Sequence, residues 1–260
     1  MTKTRTALVT GSTSGIGLGM ARALAASGFD VMLNGFGESG AIAALVRDIA
    51  AGSGTRIEHH PADMSDPAQV RALVRDTRTR FAGLDVLVNN AGIQHVAPLE
   101  TFPDEVWQRI IAINLSAAFY ASAEALPGMR ERGWGRIINT SSVHGLVASV
   151  HKAAYVSAKH GIIGLTRVTA LESAGSGITC NAICPGFVRT PLADAQIAAR
   201  AAADGSDLAS AASAVLGEKQ PSGEFVTVEQ IGALLCFLCS PAADQITGAA
   251  LPIDGGWTAQ

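Results

Sequence analysis

The first evidence for the fold lies in Thr6-Ala7-Leu8-Val9-Thr10-Gly11-Ser12-Thr13-Ser14-Gly15-Ile16-Gly17. Residues 6–10 form an apolar, β-branched run that predicts a strand, and a helical apolar pattern begins at Ile16. Gly11 permits a tight turn, Gly15 leaves room for a pyrophosphate, and Gly17 lets helix and strand pack closely. Backbone amides at the start of the helix then face the anion. The stretch therefore predicts a dinucleotide-binding site.

The alternation of strand and helix continues along the chain. Further strands are predicted at residues 30–33, 57–60, 86–89, 136–140, 179–183 and 249–253. This order predicts an α/β fold in one domain, residues 1–260, with a doubly wound parallel sheet of about seven strands and helices on both faces. Ligands of such folds bind beyond the carboxyl ends of the strands. Residues 191–223 have two helix-like pieces and no strand, which predicts a helical lid over that edge.

The composition favours small-molecule chemistry. The chain is 48% hydrophobic and 16% charged, and its net charge of −3 gives no general attraction to nucleic acid or anionic membranes. No signal peptide is visible, and the apolar run 231–239 is too short to span a bilayer, so we expect a cytoplasmic protein. The four cysteines lie in apolar segments and are expected to be buried, reduced thiols. No histidine has metal-ligand spacing, so no metal site is predicted.

A candidate acid/base lies in the middle of the chain. Tyr155 and Lys159 are four residues apart and share one face of a helix, so the ammonium is expected to lower the pKa of the phenol. Ser142 could supply a hydroxyl hydrogen bond that lowers this pKa further. Taken alone, the pair more often means a surface lysine beside a half-buried tyrosine. The other motifs of the chain favour a proton-transfer role.

Ordered motifs along almost the whole chain resemble those of the short-chain dehydrogenase/reductase family. They are the glycine turn, Asn89-Asn90-Ala91-Gly92, Asn114, Ser142, Tyr155, Lys159 and Pro185-Gly186. The resemblance implies a Rossmann-type fold in which Tyr155 exchanges a proton with the substrate alcohol while hydride passes to or from nicotinamide. It implies that Ser142 orients the substrate oxygen and that a water relay joins Asn114 to Lys159. It also implies a homotetramer, with helices near residues 114–129 and 155–173 as interfaces.

The glycine turn and the resemblance together give the expected cofactor contacts. These are Gly11, Thr13, Gly15, Ile16, Gly17, Asn34, Phe36, Asp63, Asn90, Ala91, Gly92, Tyr155, Lys159, Pro185, Gly186, Val188 and Thr190. By resemblance, Asp63 contacts adenine, Asn90 braces the cofactor region, and residues 185–190 border the nicotinamide.

The choice between NAD and NADP depends on the end of the second predicted strand. No acid occurs there before Glu38, so the usual NAD marker is missing. Residues 12–14 and 34–40 contain no Arg or Lys either, although the 2′-phosphate of NADP needs one. We therefore expect NAD, with Asn34 hydrogen-bonded to a ribose hydroxyl and Phe36 covering the adenine.

Polar residues that hydride transfer does not need surround the expected site. Gln94, His144, Lys152 and Gln196 offer a cation, an imidazole and two amides, a set suited to a small carboxylate, although singly each is more often a surface residue. Longer stretches around them resemble family members that oxidise D-3-hydroxybutyrate reversibly to acetoacetate. The resemblance implies that these four residues hold the substrate carboxylate and that Trp257 closes the pocket. Phe187 stands where that resemblance leads us to expect tryptophan, and it keeps the apolar closure without an indole N–H.

Two alternatives stay open. Another reductase of the same family would act on a 3-oxoacyl or acetoacetyl thioester, but such enzymes normally take NADP and present a basic surface to a carrier. A catalytically retired NAD-binding sensor would also keep the cofactor site. The intact set of Asn114, Ser142, Tyr155 and Lys159 argues against the sensor.

Overall fold

One parallel sheet organises the molecule. A computed structural model describes residues 4–217 and 219–260, apart from the side chains of Pro191, Leu192, Ala195 and Gln196. The strands are β1 (Thr6–Val9), β2 (Asp30–Asn34), β3 (Ile57–His60), β4 (Val86–Asn89), β5 (Gly135–Thr140), β6 (Ile178–Pro185) and β7 (Ala250–Ile253). Within the described residues they form a seven-stranded sheet in the order β3-β2-β1-β4-β5-β6-β7, with every pair parallel. The predicted fold class is therefore confirmed.

Helices cover both faces of this sheet. They are α1 (Gly15–Ala26), α2 (Ser39–Ser53), α3 (Pro67–Phe81), α4 (Asp104–Ile111), α5 (Ala117–Arg132), α6 (Ala153–Ser173), α7 (Pro191–Asp204), α8 (Leu208–Gly217) and α9 (Val228–Leu238). Polar side chains fix where several of them begin. Asp66 accepts hydrogen bonds from the first amides of α3 and is followed by Pro67, whose missing N–H costs nothing at that position. Thr227 and Gln230 form a reciprocal capping box at the start of α9.

Two apolar clusters sandwich the sheet. The first contains Val9 and Val31 of the sheet with Leu24 of α1 and Leu235 of α9, and all four are fully buried. The second contains Leu8 of β1 with Leu73 of α3 and Met129 of α5. Because alternate residues of a strand point to opposite faces, neighbours such as Leu8 and Val9 serve different clusters. Both faces are therefore covered, as the continuous apolar strands predict.

Between β6 and β7 the chain adds α7 and α8, as predicted for residues 191–223. Thr190 caps α7 by accepting a hydrogen bond from Ala193 N at 3.3 Å. The helices therefore start just past the carboxyl end of β6, where the ligand is expected. We call residues 191–223 the lid.

The helical region Asp104–Arg132 departs from a regular α-helix. A π-helical turn, Ala112–Ser116, separates α4 from α5. By length and composition alone this stretch could cross a membrane, but 44% of its most apolar window is buried inside the protein. Its residues Ala117, Ala121 and Met129 pack in the second core cluster. Burial in the core thus accounts for part of its apolar character.

Candidate active site

The glycine turn between β1 and α1 forms a cradle that side chains would fill. Gly11 and Gly15 have φ values of 61° and 56°, which favour glycine. A Cβ on Gly17 would lie 2.2 Å from Gly11 O and 2.4 Å from Asn90 Nδ2. The free space and the backbone amides at the start of α1 fit the pyrophosphate of a dinucleotide.

Asn90 and Thr10 lock this turn to the end of β4. Asn90 Nδ2 donates to Thr10 O at 2.9 Å and to Gly11 O at 3.0 Å. Thr10 Oγ1 in turn accepts from the amides of Asn90 and Ala91, at 2.9 and 3.1 Å. Asn90 therefore supports the cradle through its carbonyls, as expected for a brace. Sequence reasoning did not identify Thr10, whose partners are about eighty residues away.

A crevice of about 560 Å³ runs from the glycine turn to Tyr155 along the carboxyl ends of the strands. It brings together nearly all the predicted cofactor residues. Those that line it are Gly11, Thr13, Gly15, Ile16, Gly17, Asn34, Phe36, Asp63, Asn90, Ala91, Gly92, Tyr155, Lys159, Pro185, Gly186 and Thr190. Val188 does not line the crevice, because its side chain is buried in the first core cluster. The side chain therefore does not reach the crevice, and the place of Val188 beside the nicotinamide stays a prediction.

Asn34 has a different role from the one predicted. Its side chain is fully buried, and Nδ2 donates to His60 O at 3.1 Å and to Ala62 O at 3.0 Å. Its Oδ1 accepts from Gly11 N at 3.2 Å. Both amide hydrogens are thus occupied by the backbone. The prediction that Asn34 hydrogen-bonds a ribose hydroxyl is wrong, because the residue ties β2, β3 and the glycine turn together.

The adenine end of the crevice is open and mixed in polarity. The Phe36 side chain is 65% exposed and free to cover a flat ring. Asp63 Oδ1 accepts from the amide and the hydroxyl of Ser65, both at 2.8 Å, and these bonds hold the pKa of Asp63 below its usual value. Arg109, which sequence reasoning did not identify, lines the same end and also lowers that pKa.

Tyr155, Ser142 and Lys159 meet at the other end, where α6 begins beside β5. The Tyr155 hydroxyl hydrogen-bonds Ser142, which lowers the pKa of the phenol, but burial acts more strongly and raises it. The predicted net lowering is therefore wrong in this structure. Lys159 Nζ donates to Thr140 O at 2.7 Å and lies 5.6 Å from the centre of the Tyr155 ring. Burial lowers the pKa of Lys159 to about 8.

Asn114 lies at the π-helical turn, a distortion that is frequent at functional sites. Its side chain is 2% exposed and pairs with the backbone of Ile93, accepting from Ile93 N and donating to Ile93 O, both at 2.9 Å. The side chain therefore holds the loop that follows Gly92 against the helix. The water relay from Asn114 to Lys159 stays a prediction.

Two predicted substrate residues, His144 and Lys152, are in direct contact. Lys152 Nζ lies 3.3 Å from His144 Nε2, and burial lowers the pKa of Lys152. Burial and then the charge of Lys152 lower the pKa of His144 to about 4. The His144 ring lies 6.1 Å from the Tyr155 ring, between centroids. A cation and a neutral imidazole thus adjoin Tyr155, the candidate acid/base.

Aromatic rings close the other side of this group. Trp257 lies edge-on to His144 at 5.5 Å and packs against Phe187 at 4.9 Å, between ring centroids. Gln94 is exposed and lines the crevice. Gln196 belongs to α7, and its side chain lies outside the described residues.

The carboxyl ends of β6 and β7 are joined by polar residues that the sequence did not single out. Asp254 accepts from Gly256 N, Thr258 N and Thr258 Oγ1 at 2.7 to 3.0 Å, so it shapes the turn that presents Trp257. Gln220 is 1% exposed and accepts from Phe187 N at 2.9 Å. Sequence reasoning gave neither residue a role, although Asp254 precedes a Gly-Gly pair.

The thiols are largely as expected. Cys180, Cys184 and Cys239 are buried, whereas Cys236 is partly exposed, so the prediction of four buried thiols is wrong for that residue. Burial raises the pKa of Cys239 to about 12. Across residues 4–217 and 219–260, no three His, Cys, Asp or Glu side chains gather as a metal site would require.

Known proteins resemble this chain over nearly its full length. A family model described as enoyl-(acyl carrier protein) reductase matches residues 11–258. The D-beta-hydroxybutyrate dehydrogenase of Cupriavidus necator is 56% identical, over 98% of this chain and 98% of the relative. The protein of the same name from Rhizobium meliloti is 50% identical, over 99% of this chain and all of the relative.

Solved structures share the fold. A variant of the actinorhodin polyketide ketoreductase with NADPH superimposes with a TM-score of 0.91 at 33% identity, covering 99% of this chain and 98% of that chain. The L-sorbose reductase of Gluconobacter frateurii, with NADPH and L-sorbose, has a TM-score of 0.94 at 29% identity and the same coverage. The crevice, the Ser142–Tyr155–Lys159 group and these likenesses lead to one conclusion. The chain belongs to the short-chain dehydrogenase/reductase family of oxidoreductases.

Proposed function

We propose that this protein oxidises D-3-hydroxybutyrate to acetoacetate with NAD, and catalyses the reverse reduction. The observation that carries the proposal is the position of Lys152 and His144, in contact at 3.3 Å, directly beside Tyr155. A hydroxy acid needs its alcohol at the phenol and its carboxylate at a cation a few ångströms away. Two relatives at 56% and 50% identity carry the name of this activity, which supports the same substrate here.

In this mechanism the protein's residues handle the proton. Ser142 holds the substrate oxygen through its hydroxyl, and the Tyr155 phenolate takes the alcohol proton. Nicotinamide, when bound in the crevice, would supply the acceptor for the hydride that leaves the alcohol carbon. The Lys159 ammonium, 5.6 Å from the centre of the Tyr155 ring, favours the phenolate that burial disfavours. Because the pKa of Lys159 is about 8, its amine can also exchange a proton near neutral pH.

The substrate carboxylate is bound by a cation on one side and enclosed by aromatic rings on the other. Lys152 supplies the cation, and the neutral imidazole of His144 accepts a hydrogen bond from the Lys152 ammonium through Nε2, which orients this cation without adding charge. The rings of Trp257 and Phe187 keep water from this pair. Gln94, at the rim of the crevice, adds an amide, and Gln196 of α7 is proposed to add another.

NAD is the proposed cofactor because the segment after β2 offers no cation for a 2′-phosphate. Gly35 and Phe36 line the crevice there, and Glu38 follows with an exposed carboxylate at the start of α2. The segment of residues 34–40 therefore carries a negative charge and no cation to pair with a 2′-phosphate. The neighbouring structures that hold NADPH are only 33% and 29% identical, so the choice needs its own measurement.

The test follows NADH formation with D- and L-3-hydroxybutyrate, longer 3-hydroxy acids and a neutral secondary alcohol, each with NAD and NADP. The proposal predicts the highest kcat/KM for the D-acid with NAD. Activity confined to a 3-oxoacyl or acetoacetyl thioester with NADPH would replace it with the reductase alternative. Turnover of no substrate, with intact NAD binding, would favour the sensor.

A matched pair of variants tests the carboxylate site. Lys152→Met should raise KM for the D-acid by about 10²-fold, because it leaves the carboxylate without its buried cation. Lys219→Met removes an exposed charge that reaches His144 only at a distance, so KM should change less than about threefold. Equal effects in the two variants would contradict a direct contact at Lys152.

We also propose that the protein is a cytoplasmic homotetramer assembled through α5 and α6. Large apolar side chains remain exposed on these helices in the single chain. They are Phe119 at 50%, Val168 at 52% and Leu171 at 78% exposure. Apolar groups of this size on two adjacent elements are typical of subunit interfaces.

A further inference from the structure

Gln220 is a buried amide at the end of the lid, where a solvated residue would be usual. It follows α8 directly, yet its side chain is 1% exposed. Its Oε1 accepts from Phe187 N at 2.9 Å, and its Nε2 donates to Glu224 O. Its own backbone N donates to Leu216 O, in the last turn of α8, at 2.7 Å. The amide is therefore satisfied at both ends, as a buried polar group must be.

The amide fills a slot that two glycines leave open. A Cβ on Gly186 would lie 2.4 Å from Gln220 Oε1, and a Cβ on Gly255 would lie 2.8 Å from Gln220 Cγ. Ser222, two residues on, donates from its backbone N to Gly255 O at 3.0 Å. The segment of Gln220 thus contacts both the exit of β6, which carries Phe187, and the exit of β7, which carries Trp257.

Through these contacts one side chain, Gln220, supports the two rings that close the substrate pocket, Phe187 and Trp257, which we call the aromatic wall. The Phe187 and Trp257 rings touch each other, and Trp257 touches His144. Gln220 does not reach the reacting atoms, but it holds the backbone of Phe187 and is packed against the turn before Trp257. We infer that Gln220 is a positioning residue, which joins the end of the lid to the aromatic wall and so sets the closure of the pocket around the hydroxy acid.

This inference rests on the proposed function for its substrate, and the first experiment measures steady-state kinetics. Gln220→Met is close in size but makes neither hydrogen bond, so KM for D-3-hydroxybutyrate should rise roughly tenfold. KM for NAD should stay within about twofold, because the glycine turn is untouched. Gln245→Met, which alters an exposed amide, should leave both constants unchanged.

The conservative variant gives a pH signature that a merely structural role would not produce. In Gln220→Glu, a protonated carboxyl can still accept from Phe187 N and donate to Glu224 O, but an ionised one cannot donate. Burial should raise the pKa of the introduced carboxyl towards neutrality. KM for the acid, relative to the unmodified protein at each pH, should therefore be near normal at low pH and rise as pH increases.

A second readout does not need the substrate. Lys219 is exposed beside Gln220, so loosening of the segment should speed tryptic cleavage after Lys219 several-fold in Gln220→Met. If the unmodified protein does not oxidise the D-acid, the proposed function fails while this cleavage still tests Gln220. An unchanged cleavage rate, an unchanged KM for the acid, or equal rises in both KM values would overturn the positioning role.

Discussion

At the scale of single residues, the proposed chemistry depends on how Tyr155 loses its proton. Burial raises the pKa of the phenol and the Ser142 hydrogen bond opposes this, so the balance must be completed by the ammonium of Lys159. Removing the hydroxyl removes the only atom of Tyr155 that can exchange a proton. The rings around it would keep their packing.

We therefore expect Tyr155→Phe to reduce kcat by about 10²- to 10⁴-fold while leaving NAD affinity within about threefold of normal. The measurement is NADH formation, together with NAD titration by fluorescence. Tyr120→Phe is the matched control, because Tyr120 packs against Phe119 on α5 and should be neutral. Near-normal turnover in Tyr155→Phe would refute the assignment.

His144 makes stability depend on pH in a defined window. Its pKa is about 4 in the folded protein and 6.5 ordinarily, so the unfolded chain binds this proton first as pH falls. Stability that is fully present above pH 6.5 is thus lost as pH falls towards 4, by at most about 3 kcal/mol. In His144→Gln the free energy of unfolding by urea should fall less over this window. His160→Gln, at an exposed histidine, should follow the unmodified protein.

The residues at which sequence reasoning failed are those whose partners come from distant strands. Tyr155, Lys159 and Ser142 could be identified from their spacing together with the other ordered motifs of the chain. The hydrogen bonds of the Asn34 side chain to the backbone of His60, Ala62 and the glycine turn could not be predicted, because they depend on the register of β2 with β3. The net pKa of Tyr155 likewise depends on burial by the whole fold.

At the scale of elements, the junction between β1 and α1 tolerates no added atom. In Gly17→Ala the new methyl group would meet Gly11 O and Asn90 Nδ2 at less than 2.5 Å, so the turn must open. We expect KM for NAD to rise by more than about tenfold, with a lower thermal midpoint. Gly52→Ala, in the exposed last turn of α2 with no neighbour within 4 Å, should instead stabilise the protein by less than about 1 kcal/mol. A normal KM for NAD in Gly17→Ala would contradict the close packing.

Element types were predictable and their ends less so. All seven strands lie where the apolar runs predicted, but β2 extends to Asn34 and β6 to Pro185. Pairing with β3 and β7 adds these residues to the ladder, and a single segment carries no sign of its partner. The lid helices were predictable because residues 191–223 interrupt the alternation of strand and helix. The π-helical turn had no sequence signal.

At the scale of the whole molecule, the proposed tetramer depends on the apolar faces of α5 and α6. Leu171→Glu places a charge on a side chain that is 78% exposed in one chain, and it should lower the mass seen by sedimentation from that of a tetramer. Leu208→Glu, at 61% exposure on α8 of the lid, should leave the mass unchanged. Equal masses in Leu171→Glu and the unmodified protein would place the interface elsewhere.

The convergence of the site could be predicted because parallel strands bring all their carboxyl ends to one edge. Residues as far apart as Gly11, Asn90, Tyr155 and Gly186 therefore line one crevice. How tightly that edge is closed was not predictable. We infer that it depends on Gln220, whose contact with Phe187 arises only once β6 and the end of the lid have come together.

The π-helical turn Ala112–Ser116 also has a geometric consequence. Each residue of an α-helix turns the chain by about 100° around the helix axis. The extra residue of a π-helical turn therefore rotates the preceding helix, α4, by about 100° relative to α5. As a result, the side chains of α4 that face α6 differ from those that an uninterrupted α-helix would place there. Deleting one residue from the π-helical turn would therefore rotate α4 about its own axis. This rotation would break the packing of α4 against α6 along its whole length, an effect that no single side-chain substitution would produce.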